Sequence, residues 1–361
     1  MSKLKVCAYS VCKNEEKFVD RWVDSMKEAD IMIVTDTGST DNTVERLRQR
    51  GVIVYIDVIK PWRFDKARNS CLKNIPEDID ICVSTDMDEI FEPGWRENLE
   101  RAWIPGTNRA HYHFTWSFNE DGSPGVTFMY DRIHGRHDYE WVNPTHECLN
   151  YLGKGAERYA WCPDVRLQHY PDASKDRSFN LPLLELAIQE RPDDVRNYHY
   201  LGREYMFASM WDKCIETLVK HITMPSSNWK EEKSASMRFI ARAYRGKKDD
   251  VEAKSWLYRA IAETPHLREP YVEMARFMYD QKDWVGIYHV VNDALNIKER
   301  SVYINDVSSW DYTLNDYGAL ACFNLGLREK AAEFAKTAFD MNPKDERLKK
   351  NYEIIKKDLQ K

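Results

Sequence analysis

The sequence predicts an α/β domain at residues 1–172 and an all-α domain of helical repeats at residues 173–361. Between residues 3 and about 60, short apolar runs alternate with segments of helical periodicity in the order strand, helix, strand, helix, strand. This alternation is typical of a parallel sheet with right-handed crossovers. From about residue 174 onward, apolar residues recur at helical spacing in paired segments with a period of about 34 residues.

The α/β half is predicted element by element from its apolar runs. Strands are expected at residues 5–11, 31–35, 52–56 and 79–84, and helices at residues 18–26, 44–50 and 67–72. Between residues 109 and 151, β-rich runs flank an Asn-Glu-Asp-Gly turn, which indicates an antiparallel hairpin added to the parallel sheet. Because ligands bind beyond the carboxyl ends of parallel strands, we expect the site where the second and fourth strands end.

The helical half shows the tetratricopeptide signature, in which a Leu-Gly pair, a large aromatic residue, Ala and a closing Pro recur. The first pair of helices contains Leu201-Gly202, and the last closes at Pro343. The segment 348–359 has a polar face and is expected to cap the stack. Such repeats form a superhelix whose concave surface suits peptides and protein segments. The repeats are also a candidate homodimer interface.

Composition and charge exclude several classes of protein. The 361 residues include 53 Lys and Arg against 59 Asp and Glu, and the pI is about 6.0. This balance argues against binding to nucleic acid through bulk charge. No apolar run approaches the ~20 residues of a membrane span, and no secretory signal follows Met1. The eight Cys residues include no Cys-x-x-Cys, so that we expect reduced thiols in a cytoplasmic protein.

Asp86 and Asp88 form the central motif of the first half, because they directly follow the apolar strand at 79–84. Two carboxylates at a strand end, with Glu89 beside them, provide the oxygen ligands that Mn²⁺ or Mg²⁺ prefers. An ion there neutralises charge on the departing diphosphate when a sugar nucleotide reacts. The alternative is an acidic surface pair, but the position directly after an apolar strand favours a metal site.

Three further strand–helix junctions carry polar side chains. Asp36 ends a strand, and it is either part of a capped turn or an acceptor for ribose hydroxyls or a base N–H. Ser10 ends another strand and leads into a segment that contains Asn14 and Glu16. Arg68 is expected in the first turn of a helix, where its planar guanidinium suits a diphosphate.

These motifs are Lys-Asn-Glu-Glu at 13–16, Asp-Thr-Gly-Ser-Thr-Asp-Asn-Thr at 36–43, Lys-Ala-Arg-Asn at 66–69 and Asp-x-Asp-Glu at 86–89. In this order they resemble glycosyltransferase family 2, which has the GT-A fold, a Rossmann-like mixed sheet. The chain looks like the subset of that family with tetratricopeptide repeats after the catalytic domain. The resemblance implies an enzyme that transfers a sugar from a nucleoside diphosphate donor, which we expect to be a UDP-sugar.

The resemblance also implies roles for individual residues. The nucleoside would be held by Ser10, Asn14, Glu16 and Asp36, and the diphosphate would be contacted by Arg68. The ion, Mn²⁺ or Mg²⁺, would be bound by Asp86 and Asp88, and Asp86 would also contact the nucleotide sugar.

The segment 142–149 resembles the Ile-His-Glu element of the family, with Thr145 in place of the usual apolar residue. Inversion at the anomeric carbon needs a base that accepts the proton of the acceptor. We assign this role to Glu147, the alternative being a solvated strand carboxylate. His146 either orients the donor or has a packing role.

Further candidates lie near the end of the first half. His169 lies where related enzymes often place a metal-binding histidine, so that it is either a third metal ligand or a hydrogen-bonded hinge residue. Lys175 and Arg177 either close over the phosphates or are the charges of a helix start. His134 and His137 resemble a metal cluster, but their segment is better interpreted as a mobile polar loop near the acceptor.

Two hypotheses of different classes follow. In the first, the chain is an inverting, metal-dependent glycosyltransferase whose repeats hold a protein or peptide acceptor. In the second, the repeats are a binding module and the α/β domain is a degenerate scaffold. The enzyme is favoured because the polar residues of the motifs are all present, namely Asp36, Arg68, Asp86 and Asp88. A glycan, small-molecule or nucleic-acid acceptor is the alternative within the enzyme class.

Overall fold

The computed structural model describes residues 4–119, 122–172, 180–300 and 306–359. It divides into two compact units, Met1–Ala187 and Ile188–Lys361. The predicted fold class is confirmed, because the first unit is built on a mixed β-sheet and the second is helical. The division between the units falls inside the helix Asn180–Glu190, whereas the sequence predicts a boundary between residues 172 and 173.

The first unit contains the strands and the shorter helices. Its strands are β1 (Val6–Cys12), β2 (Ile31–Asp36), β3 (Ile53–Ile56), β4 (Ile81–Ser84), β5 (Glu89–Phe91), β6 (Arg109–Thr115), β7 (Thr127–Gly135), β8 (Tyr139–Val142), β9 (Cys148–Tyr151) and β10 (Tyr159–His169). Its helices are α1 (Val19–Met26), α2 (Thr43–Gln49), α3 (Phe64–Lys73) and α4 (Trp95–Ala102).

The main sheet has the strand order β3-β2-β1-β4-β7-β6-β10-β5. The first four of these strands are parallel, as the alternation of strands and helices predicts. β7 runs antiparallel to both β4 and β6, and β5 runs antiparallel to β10. β8 and β9 form a separate antiparallel pair. The parallel half therefore gathers the carboxyl ends of β1, β2 and β4 at one edge of the sheet.

β1 is central, and its side chains are buried on both faces of the sheet. Val6 and Ala8 pack into one apolar cluster, while Cys7 and Tyr9 pack into the other. This two-sided burial explains why β1 reads as a continuous apolar run rather than as an alternating one. All eight cysteines are free thiols, and seven of them are buried.

The expected mobile loop around His134 is wrong. His134 lies in β7, is fully buried, and has Nε2 2.8 Å from the hydroxyl of Tyr9. His137 lies outside the strand, with an exposed side chain 3.7 Å from Glu77. The burial of His134 depends on its contact with Tyr9, which lies 125 positions away in the chain and which local sequence does not reveal.

The remaining helices follow the predicted pairing. They are α5 (Asn180–Glu190), α6 (Val195–Phe207), α7 (Trp211–Thr223), α8 (Lys230–Gly246), α9 (Asp250–Glu263), α10 (Glu269–Asp280), α11 (Trp284–Asn296), α12 (Thr313–Asn324), α13 (Arg328–Met341) and α14 (Glu346–Leu359). From α6 onward, each helix packs on the next, and the first helices of successive pairs also pack together. Among the described residues, no helix combines the length and the apolar character that crossing a membrane requires.

Gly202 allows α6 and α7 to approach closely. A Cβ atom at this position would lie 2.3 Å from both Cγ and Cδ2 of Leu218, which is itself fully buried. Since real Cβ atoms do not approach other atoms so closely, any larger residue forces the helices or Leu218 to move. The Leu-Gly pair of the repeat pattern is therefore a packing requirement in this protein.

We expect Gly202→Ala to destabilise the helical unit by about 1–3 kcal/mol through overpacking, although alanine is the better helix former. In a Leu218→Ala background the same substitution has room, and it should be neutral or stabilising. The check is a double-mutant cycle on the full chain, measured by urea unfolding. Equal effects of Gly202→Ala in the two backgrounds would show that the close approach is not limiting.

Candidate active site

Four charged side chains form a closed cluster next to the carboxyl end of β4, and we call it the charge ring (Arg68, Asp86, Arg132 and Glu147). Arg68 donates from Nε to Glu147 Oε1 at 2.6 Å and from Nη2 to Asp86 Oδ1 at 2.6 Å. Arg132 Nη1 lies 3.2 Å from Asp86 Oδ2, and its Nη2 lies 3.5 Å from Glu147 Oε1. Each carboxylate therefore contacts both guanidinium groups.

Neighbouring elements hold the charge ring in place. Arg68 also donates to the Ser84 hydroxyl at 3.3 Å, and the two guanidinium carbons lie 4.9 and 5.6 Å from the ring of Trp141. Trp141 in turn donates to the hydroxyl of Tyr9 at 2.9 Å. The charge ring thus connects α3, β4, β7 and the β8–β9 pair next to the indole of Trp141.

The accessibility of the charge ring is uneven. Arg68 is 2% exposed, whereas the Asp86 side chain is 39% exposed. Burial works against the charged form of Asp86, but the guanidinium groups of Arg68 and Arg132 outweigh it and hold the pKa of this carboxyl far below its usual range. Asp86 is therefore an anion that reaches solvent while its counter-charges lie beneath it.

Arg68 does not lie where the sequence predicts. Helix α3 begins at Phe64, which places Arg68 at the start of the second turn rather than in the first. Its side chain is buried and engaged by Glu147, Ser84 and Asp86. As placed, Arg68 orients Asp86 and Glu147, and its contact with a diphosphate stays a prediction.

Asp88 and His169 face each other beside the charge ring. His169 Nδ1 lies 3.1 Å from the carbonyl oxygen of Trp116, which can only accept, so that Nδ1 carries a proton. His169 Nε2 lies 3.5 Å from Asp88 Oδ2. Although burial opposes the charged ring, hydrogen bonding and attraction to Asp88 raise the pKa of His169. A divalent cation between the two groups would take the place of the proton on Nε2.

Glu89 is a buried carboxyl behind the same strand end. It is 3% exposed, and its Oε2 accepts a hydrogen bond from the backbone N–H of Asp86 at 2.8 Å. Burial, reinforced by the negative charge of Asp86, raises the pKa of Glu89 to about 8. Glu89 therefore fixes the backbone of Asp86 and does not itself face an open cleft.

Asp36 shapes the loop that follows β2. Its Oδ2 accepts from the N–H groups of Gly38 and Ser39, both at 3.0 Å, and its Oδ1 accepts from the Ser39 hydroxyl. Gly38 has a φ of 108°, which glycine adopts without strain. Asp36 is 1% exposed. In this structure the carboxylate thus organises the turn, rather than facing outward as an acceptor for ribose or base.

Asn14 and Glu16 lie together on a polar cleft at the same edge. Asn14 Oδ1 accepts from Thr40 N at 2.7 Å, and Glu16 Oε1 accepts from Asn42 Nδ2 at 3.2 Å. The cleft has a volume of about 390 Å³, and its lining consists of Asn14, Glu16, Lys17, Asp41, Arg46 and Asp172. This mixed set of donors and acceptors suits a polar ligand such as a nucleoside.

The other predicted residues are placed differently. Ser10 is fully buried, and its hydroxyl donates to the carbonyl oxygen of Val11 at 3.3 Å, so that as placed it does not reach the cleft. His146 lies between β8 and β9 with a φ of 50° and is next to Glu147 in the chain. Lys175 and Arg177 lie outside the described residues.

Sequence reasoning missed Arg132, Trp141 and the role of the Trp116 carbonyl. Arg132 lies in β7 (Thr127–Gly135), where the pairing with β6 shifts register, so that Tyr130 and Ile133 pack toward one face of the sheet and His134 toward the other. The Arg132 guanidinium lies 4.8 Å from the Tyr130 ring. Sequence does not reveal this register shift, nor the pairing of Arg132 with Asp86, because the two residues lie 46 positions apart.

We expect Glu89→Gln to change the pH dependence of stability. The folded-state pKa of about 8 lies above the ordinary value of 4.5, so the stabilisation from the protonated group is complete below about pH 4.5 and lost as the pH rises through 8. The amide of Gln does not ionise, so the free energy of unfolding of the variant should exceed that of the wild type by up to a few kcal/mol as the pH rises from 5 to 9. The check is urea unfolding in EDTA across this range.

The matched control is Glu92→Gln, which removes an exposed carboxyl just after the same strand. It should leave the pH dependence unchanged. If Glu89→Gln followed the wild-type profile as well, Glu89 would be ionised in the folded protein at neutral pH.

Residues 8–125 match the family described as Glycosyl transferase family 2. No curated protein sequence matches the chain. A crystal structure of MamA is 18% identical, with coverage of 49% of this chain and 99% of MamA and a TM-score of 0.38. The crystal structure of yeast Tom70 is 12% identical, with coverage of 52% of this chain and 37% of Tom70 and a TM-score of 0.39.

A further solved structure is glucosyl-3-phosphoglycerate synthase from Mycobacterium tuberculosis in complex with Mn²⁺, UDP and phosphoglyceric acid. It is 22% identical, with coverage of 32% of this chain and 45% of the synthase and a TM-score of 0.28. Because all these TM-scores are low, the assignment rests on the family match and on the motifs it includes. Residues 8–125 of the α/β unit therefore match a glycosyl transferase family 2 domain, and helices that pack in successive pairs follow this unit.

Proposed function

We propose that this protein is a metal-dependent, inverting glycosyltransferase that moves a sugar from a UDP-sugar to a protein or peptide acceptor. The observation that carries the proposal is the pairing of Asp88 Oδ2 with His169 Nε2 at 3.5 Å, beside the partly exposed Asp86, in a glycosyl transferase family 2 domain. This arrangement combines a cation site with a polar cleft at the same sheet edge.

The residues present fit a divalent cation. Asp88 supplies a carboxylate oxygen, and His169 is held with Nε2 toward it because Nδ1 is occupied by the Trp116 carbonyl. Asp88 and His169 would hold Mn²⁺ or Mg²⁺, with Asp86 as the third candidate. When bound, the ion supplies neutralisation of the negative charge that develops on the departing diphosphate.

The charge ring holds the carboxylates of Asp86 and Glu147 in their charged form and in a fixed position. Arg68 and Arg132 compensate the charges of Asp86 and Glu147 from beneath, so that neither carboxylate needs a solvent shell to remain in place. Arg132 has 14% of its side chain exposed against 2% for Arg68. We therefore assign contact with the donor phosphates to Arg132 before Arg68.

The nucleoside is assigned to the polar cleft at Asn14 and Glu16. Asn14 is anchored through both its backbone N–H and its side-chain oxygen to the loop that Asp36 organises. Glu16 is anchored by Asn42 and lies 3.6 Å from Arg46. Both side chains are therefore oriented before any ligand binds, which lowers the entropic penalty of binding.

Glu147 is the proposed base. Its Oε1 is held by Arg68, while its Oε2 accepts no hydrogen bond from the described residues. Oε2 takes the proton of the acceptor hydroxyl or thiol, and the freed oxygen or sulfur attacks the anomeric carbon as the bond to the diphosphate breaks. Attack from the face opposite the leaving group inverts the configuration.

The acceptor class is inferred from the second unit. Its paired helices pack in succession from α6 to α14, as in solenoids that bind peptides and protein segments. A catalytic domain that acted only on a small molecule would need no such surface. We therefore propose a protein or peptide acceptor that docks on the helical unit.

Asp88→Asn should abolish Mn²⁺-dependent hydrolysis and transfer with a UDP-sugar, because the amide is a neutral and weaker cation ligand. The midpoint of thermal unfolding should change little or rise, since one charge is removed from a cluster of carboxylates. Turnover is measured as UDP release with and without Mn²⁺. The control is Asp164→Asn, an exposed carboxylate in β10. Activity of Asp88→Asn equal to that of the control would contradict the metal assignment.

Glu147→Gln should lower kcat by about 10² to 10⁴ while leaving the Kd for UDP nearly unchanged. The amide oxygen still accepts from Arg68, so the charge ring keeps its geometry while the base is lost. The control is Glu140→Gln, in which the hydrogen bond from Asn150 to the side-chain oxygen is likewise preserved. Loss of UDP binding would make Glu147 a donor ligand instead, and retention of the donor's anomeric configuration would exclude the inverting mechanism.

A further inference from the structure

A second cluster of potential metal ligands lies inside the helical unit. His199 in α6, His221 in α7 and Glu232 in α8 each expose at most 6% of their surface. One ligand atom from each residue lies within 4.8 Å of the other two. No step of the proposed sugar transfer uses these residues, and their helices are consecutive in the fold.

The hydroxyl of Ser236 organises the two imidazole rings. Its Oγ lies 2.8 Å from His199 Nδ1 and 3.0 Å from His221 Nδ1. A hydroxyl oxygen has two lone pairs and can accept from both Nδ1–H groups at once. In that arrangement the second nitrogen of each ring, Nε2, has a lone pair for a metal ion, and both rings are held in orientation by one side chain from α8.

Glu232 completes the set. Its Oε1 lies 3.2 Å from His221 Nε2, which is close to the separation of about 3.3 Å between neighbouring ligands of a tetrahedral zinc ion. Without an ion, a proton between His221 Nε2 and Glu232 Oε1 would bridge this pair. A metal ion that binds here would take the place of that proton, as metal binding to protonated ligands requires.

We propose that His199, His221 and Glu232 bind one transition-metal ion of the Zn²⁺ class, with Ser236 orienting both histidines. Two imidazole nitrogens and one carboxylate oxygen are the ligand set of three-residue zinc sites, in which a water completes the tetrahedron. Imidazole ligands favour Zn²⁺ over Mg²⁺ or Mn²⁺, so that this site would select a different ion from the pair Asp88 and His169. Its bound ion would cross-link α6, α7 and α8.

The site is already close to the required geometry. The ligand atoms all lie within 4.8 Å of one another, so no separation must shorten by more than about 1.5 Å to reach that of a tetrahedral ion. Changes of side-chain torsion can supply such a movement without shifting a helix. Because the ligands come from three helices, binding stabilises the folded unit by mass action, and unfolding separates the ligands.

The test uses the full chain carrying Asp88→Asn, so that a cation in the α/β unit contributes as little as possible. After incubation with Zn²⁺ and gel filtration, we expect about one bound zinc ion per chain. The Co²⁺ form should show the intense visible d–d bands of a four-coordinate site. Zinc at about 100 times its Kd should raise the midpoint of thermal unfolding by roughly 5 °C or more.

Glu232→Gln keeps the side-chain shape and should remove both the cobalt bands and the thermal shift. Ser236→Ala retains all three ligands and should weaken zinc binding by about 10- to 100-fold through loss of orientation. The control is His266→Gln, an exposed histidine that lies 3.6 Å from Glu231 and offers only a surface pair. It should leave zinc binding unchanged.

The proposal is overturned if the Asp88→Asn chain retains no zinc, shows only the weak spectrum of six-coordinate Co²⁺, or loses its zinc equally in His266→Gln and Glu232→Gln. Circular dichroism in EDTA verifies that each variant is folded. Should a variant fail to fold, the stoichiometry and cobalt spectrum of the parent chain decide the question alone.

Discussion

The charge ring is the interaction on which the α/β unit depends. Buried charges are tolerated only when they are paired and hydrogen-bonded, and removing one partner leaves the others uncompensated. Here Arg68 and Arg132 each contact both Asp86 and Glu147, so the four positions determine one another. The ring draws α3, β7 and the β8–β9 pair to the end of β4. The same contacts therefore position both Glu147, the proposed base, and Asp86.

Around this ring the polar residues separate into two groups. Some support the backbone, such as Asp36, which closes the turn after β2, and Glu89, which accepts from the N–H of Asp86. Others retain access to solvent, such as Asp86, or face another polar side chain, as Asp88 faces the imidazole of His169. Burial decides between these roles, because a carboxylate whose lone pairs are taken by the backbone has little left to offer a substrate.

In the helical unit, close apolar packing constrains the structure, rather than a network of ion pairs. Apolar packing is tight enough that Gly202 cannot carry a side chain without displacing Leu218. Within this core, a hydroxyl connects two histidines, and one of these contacts a carboxylate. Such buried polar groups destabilise a core unless every partner is in place. The presence of these polar groups in an otherwise well-packed unit is consistent with the proposed role of His199, His221 and Glu232 as metal ligands.

Sequence alone determined what is local. Alternating strands and helices predicted the parallel half-sheet, the apolar strand before Asp86 predicted an acidic edge, and the repeat period predicted paired helices, because each of these depends on spacing within a few tens of residues. Only the tertiary structure decided which charges meet, since Arg68 and Glu147 lie 79 positions apart. The tertiary structure also shows that His134 is buried in a strand rather than in a loop, and that the Asp36 carboxylate accepts hydrogen bonds from its own turn. The physical reason is that burial and ion pairing depend on partners that are distant in sequence. Such contacts produce no regular spacing of residues that could be recognised in the chain.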